Sequence, residues 1–223
     1  MKGSTMKEMA KDVWRLDQRI APLINVYLAG DVLIDAGRRQ DRKRVFDQIG
    51  GRDLSLVALT HAHADHQGVA HELCEARQIP LACHAEDVDA MEGRRSMSSA
   101  SAISRSIVRR WSGPPHKVDR VLRGGDEVGG FRVVHAPGHS PGEVIFCRED
   151  DGVAICGDVI RNLSYATMRA RLLEPPDAFN VDSVQNRESI RKLAELEPRL
   201  ILPGHGPAVR DMSAFKRFVA RLA

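Results

Sequence analysis

Apolar positions along this chain follow two rhythms, and the switch between them predicts the elements. Short apolar stretches at 13–16, 23–28 and 32–34 read as strands, separated by turn signals that include Ala29-Gly30-Asp31. Residues 39–49 have helical spacing, with Val45, Phe46 and Ile49 on one side. The run 54–59 predicts a buried strand that ends on Thr60-His61. Residues 67–78 then predict a helix with Val69, Leu73 and Cys74 facing inward. A strand at 80–83 and a helix at 86–91 follow.

The segment 93–113 differs in character, being rich in Ser and Arg, with Ile103, Ile107, Val108 and Trp111 at helical spacing. It reads as a basic amphipathic helix whose charged side is a solvated face, with a lid over a pocket as the sharper alternative. Strands return at 118–122, 131–135, 144–147 and 153–156. Residues 161–178 form a second long connection carrying Tyr165 and Pro175-Pro176. A helix at 182–196 with Asp182 as N-cap, a strand at 200–202 and a closing helix at 211–222 complete the pattern. Strands and helices come in two similar runs, which implies two sheets sandwiched between helices, an α/β fold.

Composition narrows the class without changing that picture. With 223 residues, 43% hydrophobic and 28% charged, the chain carries enough apolar material for a core of its own. A net charge of +3 does not argue for nucleic acid as a partner, and none is expected. No stretch approaches a membrane span. Cys74, Cys83, Cys147 and Cys156 include no C-x-x-C pair, and the stretch 1–11 is polar and charged, unlike a secretory signal. Free thiols in a cytoplasmic protein are the expectation.

The chemistry concentrates in His61-Ala62-His63-Ala64-Asp65-His66, at the end of a buried strand and before a helix. In a strand-like or turning backbone His61 and His63 point the same way, while Asp65 and His66 fall at the helix start, turned toward a neighbouring position. Four nitrogen and oxygen ligands so placed form half of a two-metal site. Three later pieces each follow a strand and sit beside glycine: Gly138-His139-Ser140-Pro141-Gly142, Gly157-Asp158 and Gly204-His205-Gly206.

Taken in this order, the motifs resemble those of the metallo-β-lactamase superfamily. The match runs from His61 to His205, and the flanking strands extend it over nearly the whole chain. The resemblance implies one hydrolase domain over residues 1–223, folded as an αββα sandwich with the site on one edge. It implies that His61, His63 and His139 hold one metal, that Asp65, His66 and His205 hold a second, and that Asp158 bridges both. An Asp at the bridging position is similar to the glyoxalase II and lactonase-like branches rather than to the antibiotic hydrolases. The Gly-Cys-Gly-Arg run of glyoxalase II is absent, because Asp158 leads into Val159-Ile160-Arg161-Asn162, and no glutathione-binding helical domain follows His205.

Imidazole and carboxylate ligands without thiolate suit Zn²⁺, two per chain, with Fe or Mn also admissible. Two such ions can hold a bridging hydroxide and polarise a scissile carbonyl or phosphoryl oxygen. Asp65 and Asp158 are therefore read as catalytic as well as ligating, and Tyr165 as a hydrogen-bond donor to an oxyanion, beside the alternative of an ordinary loop tyrosine. Asp35 fits a carboxylate that buttresses a ligand histidine, and equally a turn residue. His84 is read as structural rather than pocket-facing. His71, His116 and His135 are read as structural or surface residues, and Cys156 as a buried strand residue.

The expected activity is hydrolysis of a small ester, thioester or lactone, with a small-molecule substrate as partner and a homodimer allowed for. A mononuclear iron persulfide dioxygenase is the first alternative, and a phosphodiesterase the second.

Overall fold

The computed structural model describes residues 6–18, 23–96 and 102–222. Two sheets carry the fold. The first begins with β1 (Lys7–Ala10), β2 (Val13–Arg15), β3 (Tyr27–Ala29) and β4 (Val32–Ile34), an antiparallel meander. It continues through β5 (Leu56–Ala58), β6 (Leu81–His84) and β7 (Arg120–Leu122), each parallel to its predecessor. The crossovers carry α1 (Arg42–Ile49), α2 (Ala70–Arg77), α3 (Val88–Met91) and α4 (Ala102–Trp111).

The second sheet holds β8 (Glu127–Val128), β9 (Phe131–His135), β10 (Val144–Arg148) and β11 (Val153–Gly157) as antiparallel neighbours. The helix α5 (Ser183–Glu195) crosses to β12 (Leu200–Pro203), parallel to β11, and α6 (Met212–Val219) follows. Asp182 caps α5 through Gln185 N at 2.9 Å, as its sequence position implies, and Asp211 caps α6 through Ala214 N at 2.9 Å.

Period-two alternation explains the layering. Val32, Ile34, Leu56 and Ala58 of the first sheet meet Val144, Phe146, Val153, Ile155, Leu200 and Leu202 of the second in a central core. The alternate residues point outward. Leu33 and Val57 pack with Val45, Ile49, Val69 and Leu73 beneath α1 and α2, whereas Ile145, Ala154, Cys156 and Ile201 pack with Ile190, Leu193 and Phe215 beneath α5 and α6. Two sheets with a helical layer outside each make the αββα sandwich.

The differences from the sequence reading are local. The strand expected at 23–28 is confined to Tyr27–Ala29, because 23–26 bend toward the site edge. The helix expected from 67 starts at Ala70, after the turn that places the histidines. Lys7–Ala10 and Glu127–Val128 pair as edge strands that their polar sequences concealed. Of the segment 93–113, residues 97–101 and the side chains of Ile103 and Ile107 lie outside the described residues.

Phe146 is fully buried between the sheets. Phe146→Ala is expected to destabilise the fold by about 3–5 kcal/mol, read from urea unfolding. Val121→Ala, at a position 43% exposed, should change stability by less than about 0.5 kcal/mol.

Candidate metal centre

Every chemistry-bearing loop leaves the C-terminal end of a strand, and the topology puts these ends on one edge. β9, β11 and β12 run the same way, so His139, Asp158 and His205 emerge together. The other sheet brings Asp35 after β4 and His61 after β5, two parallel neighbours. The sheets are tied at this edge by Val144 N donating to Thr60 O at 2.9 Å and Asn25 N to Gly204 O at 2.8 Å.

The structure gathers all seven residues of the motif series. Ligand atoms of His61, His63 and His139 lie within 4.8 Å of one another, and so do those of Asp65, His66 and His205. Asp158 stands between the two groups: its Oδ2 is 3.5 Å from His139 Nε2 and 3.1 Å from His205 Nε2, and its Oδ1 is 3.4 Å from His66 Nε2. His63 Nδ1 approaches His139 Nε2 to 2.9 Å, and Asp65 Oδ2 is 3.3 Å from His205 Nε2. Gly204 allows this crowding, since a Cβ there would lie 2.3 Å from Asp158 Oδ1 and 2.7 Å from His66 Cε1.

The outer nitrogens of the rings are held by the protein. His66 Nδ1 pairs with Asp35 Oδ2 at 2.8 Å, so Asp35 buttresses a ring as the carboxylate reading expects. His139 Nδ1 pairs with Asn180 Oδ1 at 3.0 Å, and His205 Nδ1 with the Leu23 carbonyl. His61 Nδ1 lies 3.1 Å from Thr60 Oγ1 and 3.3 Å from Glu143 Oε2. Those bonds turn the Nε2 atoms of His61, His66, His139 and His205 inward, while His63 presents Nδ1. His61 Nε2, His66 Nε2 and Asp158 Oδ1 are buried there without a hydrogen-bond partner. Unpaired buried polar atoms are costly, and a divalent cation is the partner that this donor set fits.

Thr60, Glu143, Asp87 and Asn180 were not singled out by the sequence reading. Glu143 Oε1 accepts from Asp158 N at 2.9 Å. Asp87 accepts from Ala62 N at 2.9 Å, Ser140 Oγ at 3.1 Å and Gly142 N at 3.0 Å, lacing the two histidine loops together. The one signal available for Glu143 is a charge immediately before the apolar run Val144-Ile145-Phe146-Cys147.

Electrostatically the two groups differ. Burial drives the His61 ring well below its usual pKa, assisted by His66, His63 and His139. His63 is lowered chiefly by burial, and His139 is pushed down to about 4 by burial and then His63. Burial acts the same way on His66, but the carboxylates of Asp35 and Asp158 outweigh it and raise that ring well above the usual value. His205 is raised likewise, with Asp158 and Asp65 overcoming burial. Burial would raise Asp158, yet His205 and His66 hold it well below the ordinary carboxylate range.

The centre floors a cavity of about 890 Å³. Its walls include Leu23, Ile24, Met168, Pro176, Phe179 and Val181, together with Val108 and Trp111 of α4. The helix read as a solvated face therefore also forms a wall of the pocket. It is held there by Gln40 Nε2 donating to Arg110 O at 2.7 Å, with Arg38 over the Trp111 ring at 5.4 Å. Tyr165 stands at the mouth, its ring edge-on to His205 at 6.0 Å. His84 is not among the residues that line the cavity and stacks on His135 at 3.9 Å.

An αββα sandwich with such a centre on its edge defines a class of metal-dependent hydrolases. The chain belongs to the metallo-beta-lactamase superfamily, whose family model matches residues 22–205. It is 30% identical to the probable metallo-hydrolase YflN of Bacillus subtilis (strain 168), over 89% of this chain and 85% of that protein. It is 27% identical to the hydroxyacylglutathione hydrolase of Shewanella baltica (strain OS155 / ATCC BAA-1091), over 78% of this chain and 54% of that protein. The crystal structure of TTHA1623 in a di-iron-bound form superposes with a TM-score of 0.58 and 33% identity, covering 80% of this chain and 83% of that one.

Asp87→Ala leaves three donors unpaired and frees both histidine loops. Metal affinity is expected to fall by about 10–100-fold while the fold persists, as measured by competition with a chelating dye and by circular dichroism.

Proposed function

We propose that this protein is a dinuclear metal-dependent hydrolase acting on a small ester, thioester or lactone with an apolar body. The observation that carries the reading is the pair of ligand triads sharing Asp158 at the floor of an apolar cavity. His61, His63 and His139 would hold one ion, and Asp65, His66 and His205 the other, with Asp158 between them. Zn²⁺ suits this donor set, and Fe or Mn also fits. When bound, the metals lower the pKa of water and polarise the scissile carbonyl.

The protein's own groups supply the rest. Asp65 is kept ionised although burial would raise it, because His205 and His66 outweigh burial, so its free lone pairs can orient the attacking water. Burial raises the Tyr165 hydroxyl above its usual pKa, which keeps it a proton donor toward a developing oxyanion. The cavity walls exclude water and receive the apolar part of the substrate. Arg38, Arg95 and Arg161 line the cavity, but each is engaged by Asp41, Asp87 or backbone carbonyls, which favours a small neutral or apolar substrate over a polyanionic nucleic acid.

The second triad favours two ions over the mononuclear iron dioxygenase. Four buried free cysteines are in keeping with a reducing cytoplasm. Among the described residues no helix is long and apolar enough to cross a membrane.

Purified, metal-loaded protein should hydrolyse members of a lactone and thioester panel and leave phosphodiesters intact, with two ions per chain in the catalytic centre. One iron with oxygen consumption, or cleavage of phosphodiesters alone, would overturn the reading. Asp158→Ala and His63→Ala should each lower turnover by about 100-fold or more, beyond what loss of an outer partner costs, and should lower metal content. Full turnover with both ions retained would remove those residues from the mechanism. Tyr165→Phe should lower kcat on the order of 10²-fold with KM little changed.

A further inference from the structure

A second cluster of ligating side chains lies apart from the catalytic floor. His71 and Glu75 stand one turn apart on α2, so both face the same neighbour. That neighbour is His116, on the stretch between α4 and β7, and ligand atoms of the three lie within 4.8 Å of one another. His71 Nδ1 and His116 Nδ1 are 3.1 Å apart with their rings at 79°, and Glu75 Oε1 is 3.8 Å from His116 Nδ1. Two ligand atoms on one tetrahedral Zn²⁺, each bound at ~2.0–2.1 Å, stand ~3.3 Å apart, so the two imidazoles already have nearly the required spacing.

The cluster is held in place. The His116 side chain is only 11% exposed, and its backbone N donates to Met91 O at 3.1 Å. Glu75, 61% exposed, has room to swing its carboxylate onto a shared ion. None of the three belongs to the catalytic triads or lines the cavity.

We propose that His71, Glu75 and His116 form a separate site for a divalent transition-metal ion of the Zn²⁺ type, with water completing its coordination. Two imidazoles and one carboxylate select Zn²⁺, Co²⁺ or Ni²⁺ over Mg²⁺ or Ca²⁺. The ion would clip α2 to the segment leaving α4. The turn just before α2 also touches the segment leaving α4, where Gly113 packs so closely on Gly68 that a Cβ would lie 2.4 Å from Gly68 O. A metal here would therefore brace α2 against the segment leaving the wall helix.

Metal content of the holoprotein, dialysed against a Zn²⁺ buffer and counted by plasma mass spectrometry, tests the proposal. Wild type should carry one ion more than His116→Ala and Glu75→Ala, and added Zn²⁺ should raise the Tm of wild type but not of either variant. Turnover of the variants should stay close to that of wild type, so loss of this site is distinguishable from loss of the catalytic pair. Equal metal content and an equal Zn²⁺-dependent shift in all three proteins would overturn it, as would an equal shift with Mg²⁺. Should His116→Ala fail to fold, Glu75→Ala alone decides, because its side chain is mostly exposed.

Discussion

The candidate centre depends on one constraint: polar groups buried where two sheets meet need partners within the protein, several of them drawn from the opposite sheet. Glu143 carries the tightest form of it. The residue opens just before β10 of the second sheet, yet its carboxylate lies against His61 of the first and accepts the amide of Asp158. Burial, and then the charge of Asp158, push its pKa well above the usual range. Burial thus favours the neutral carboxyl, with Oε1 fixed by the Asp158 amide and Oε2 set against the His61 ring without a hydrogen-bond partner of its own. Asp87 likewise joins the loops of His61 and His139 across the two sheets, whereas Asp35 orients His66 from within the first.

This scaffold leaves His61 Nε2, His66 Nε2 and one Asp158 oxygen without hydrogen-bond partners. Free energy lost there is recovered when a cation enters, so affinity for metal and rigidity of the loops are two sides of one balance. The uneven electrostatics follow from the same geometry. The triad of His61, His63 and His139 is dominated by burial, whereas His66 and His205 sit among carboxylates whose field exceeds the cost of burial. Two ions bound side by side would thus meet unlike environments, the first among neutral rings and the second nearer to negative charge.

Above the centre the wall is apolar and comes from long connections rather than from the sheets. The helix α4 and the loop bearing Tyr165, Met168 and Phe179 enclose the space in which a substrate body would lie. Specificity in such an arrangement resides in segments that can vary without disturbing the strands, and the chemistry resides in strand ends that cannot.

Much of this was legible in the residues. The period-two runs marked most of the strands, Asp182 marked the start of α5, and glycine beside His139, Asp158 and His205 marked tight turns at strand ends. Local order suffices for these, because alternation, capping and turn formation act over a few residues. Asp35 was legible only as one of two readings, since a carboxylate after a strand serves a turn as readily as a ring. Glu143, Asp87, Thr60 and Asn180 were not legible, nor was the juxtaposition of His71, Glu75 and His116. Each of these meets a partner that is distant in sequence, and such a meeting is decided by how strands, connections and the two sheets pack, which no short-range pattern encodes. The side of α4 facing the pocket belongs with them. Its sequence established an amphipathic helix, and only the packing of Arg38 and Gln40 against it determined what that helix covers.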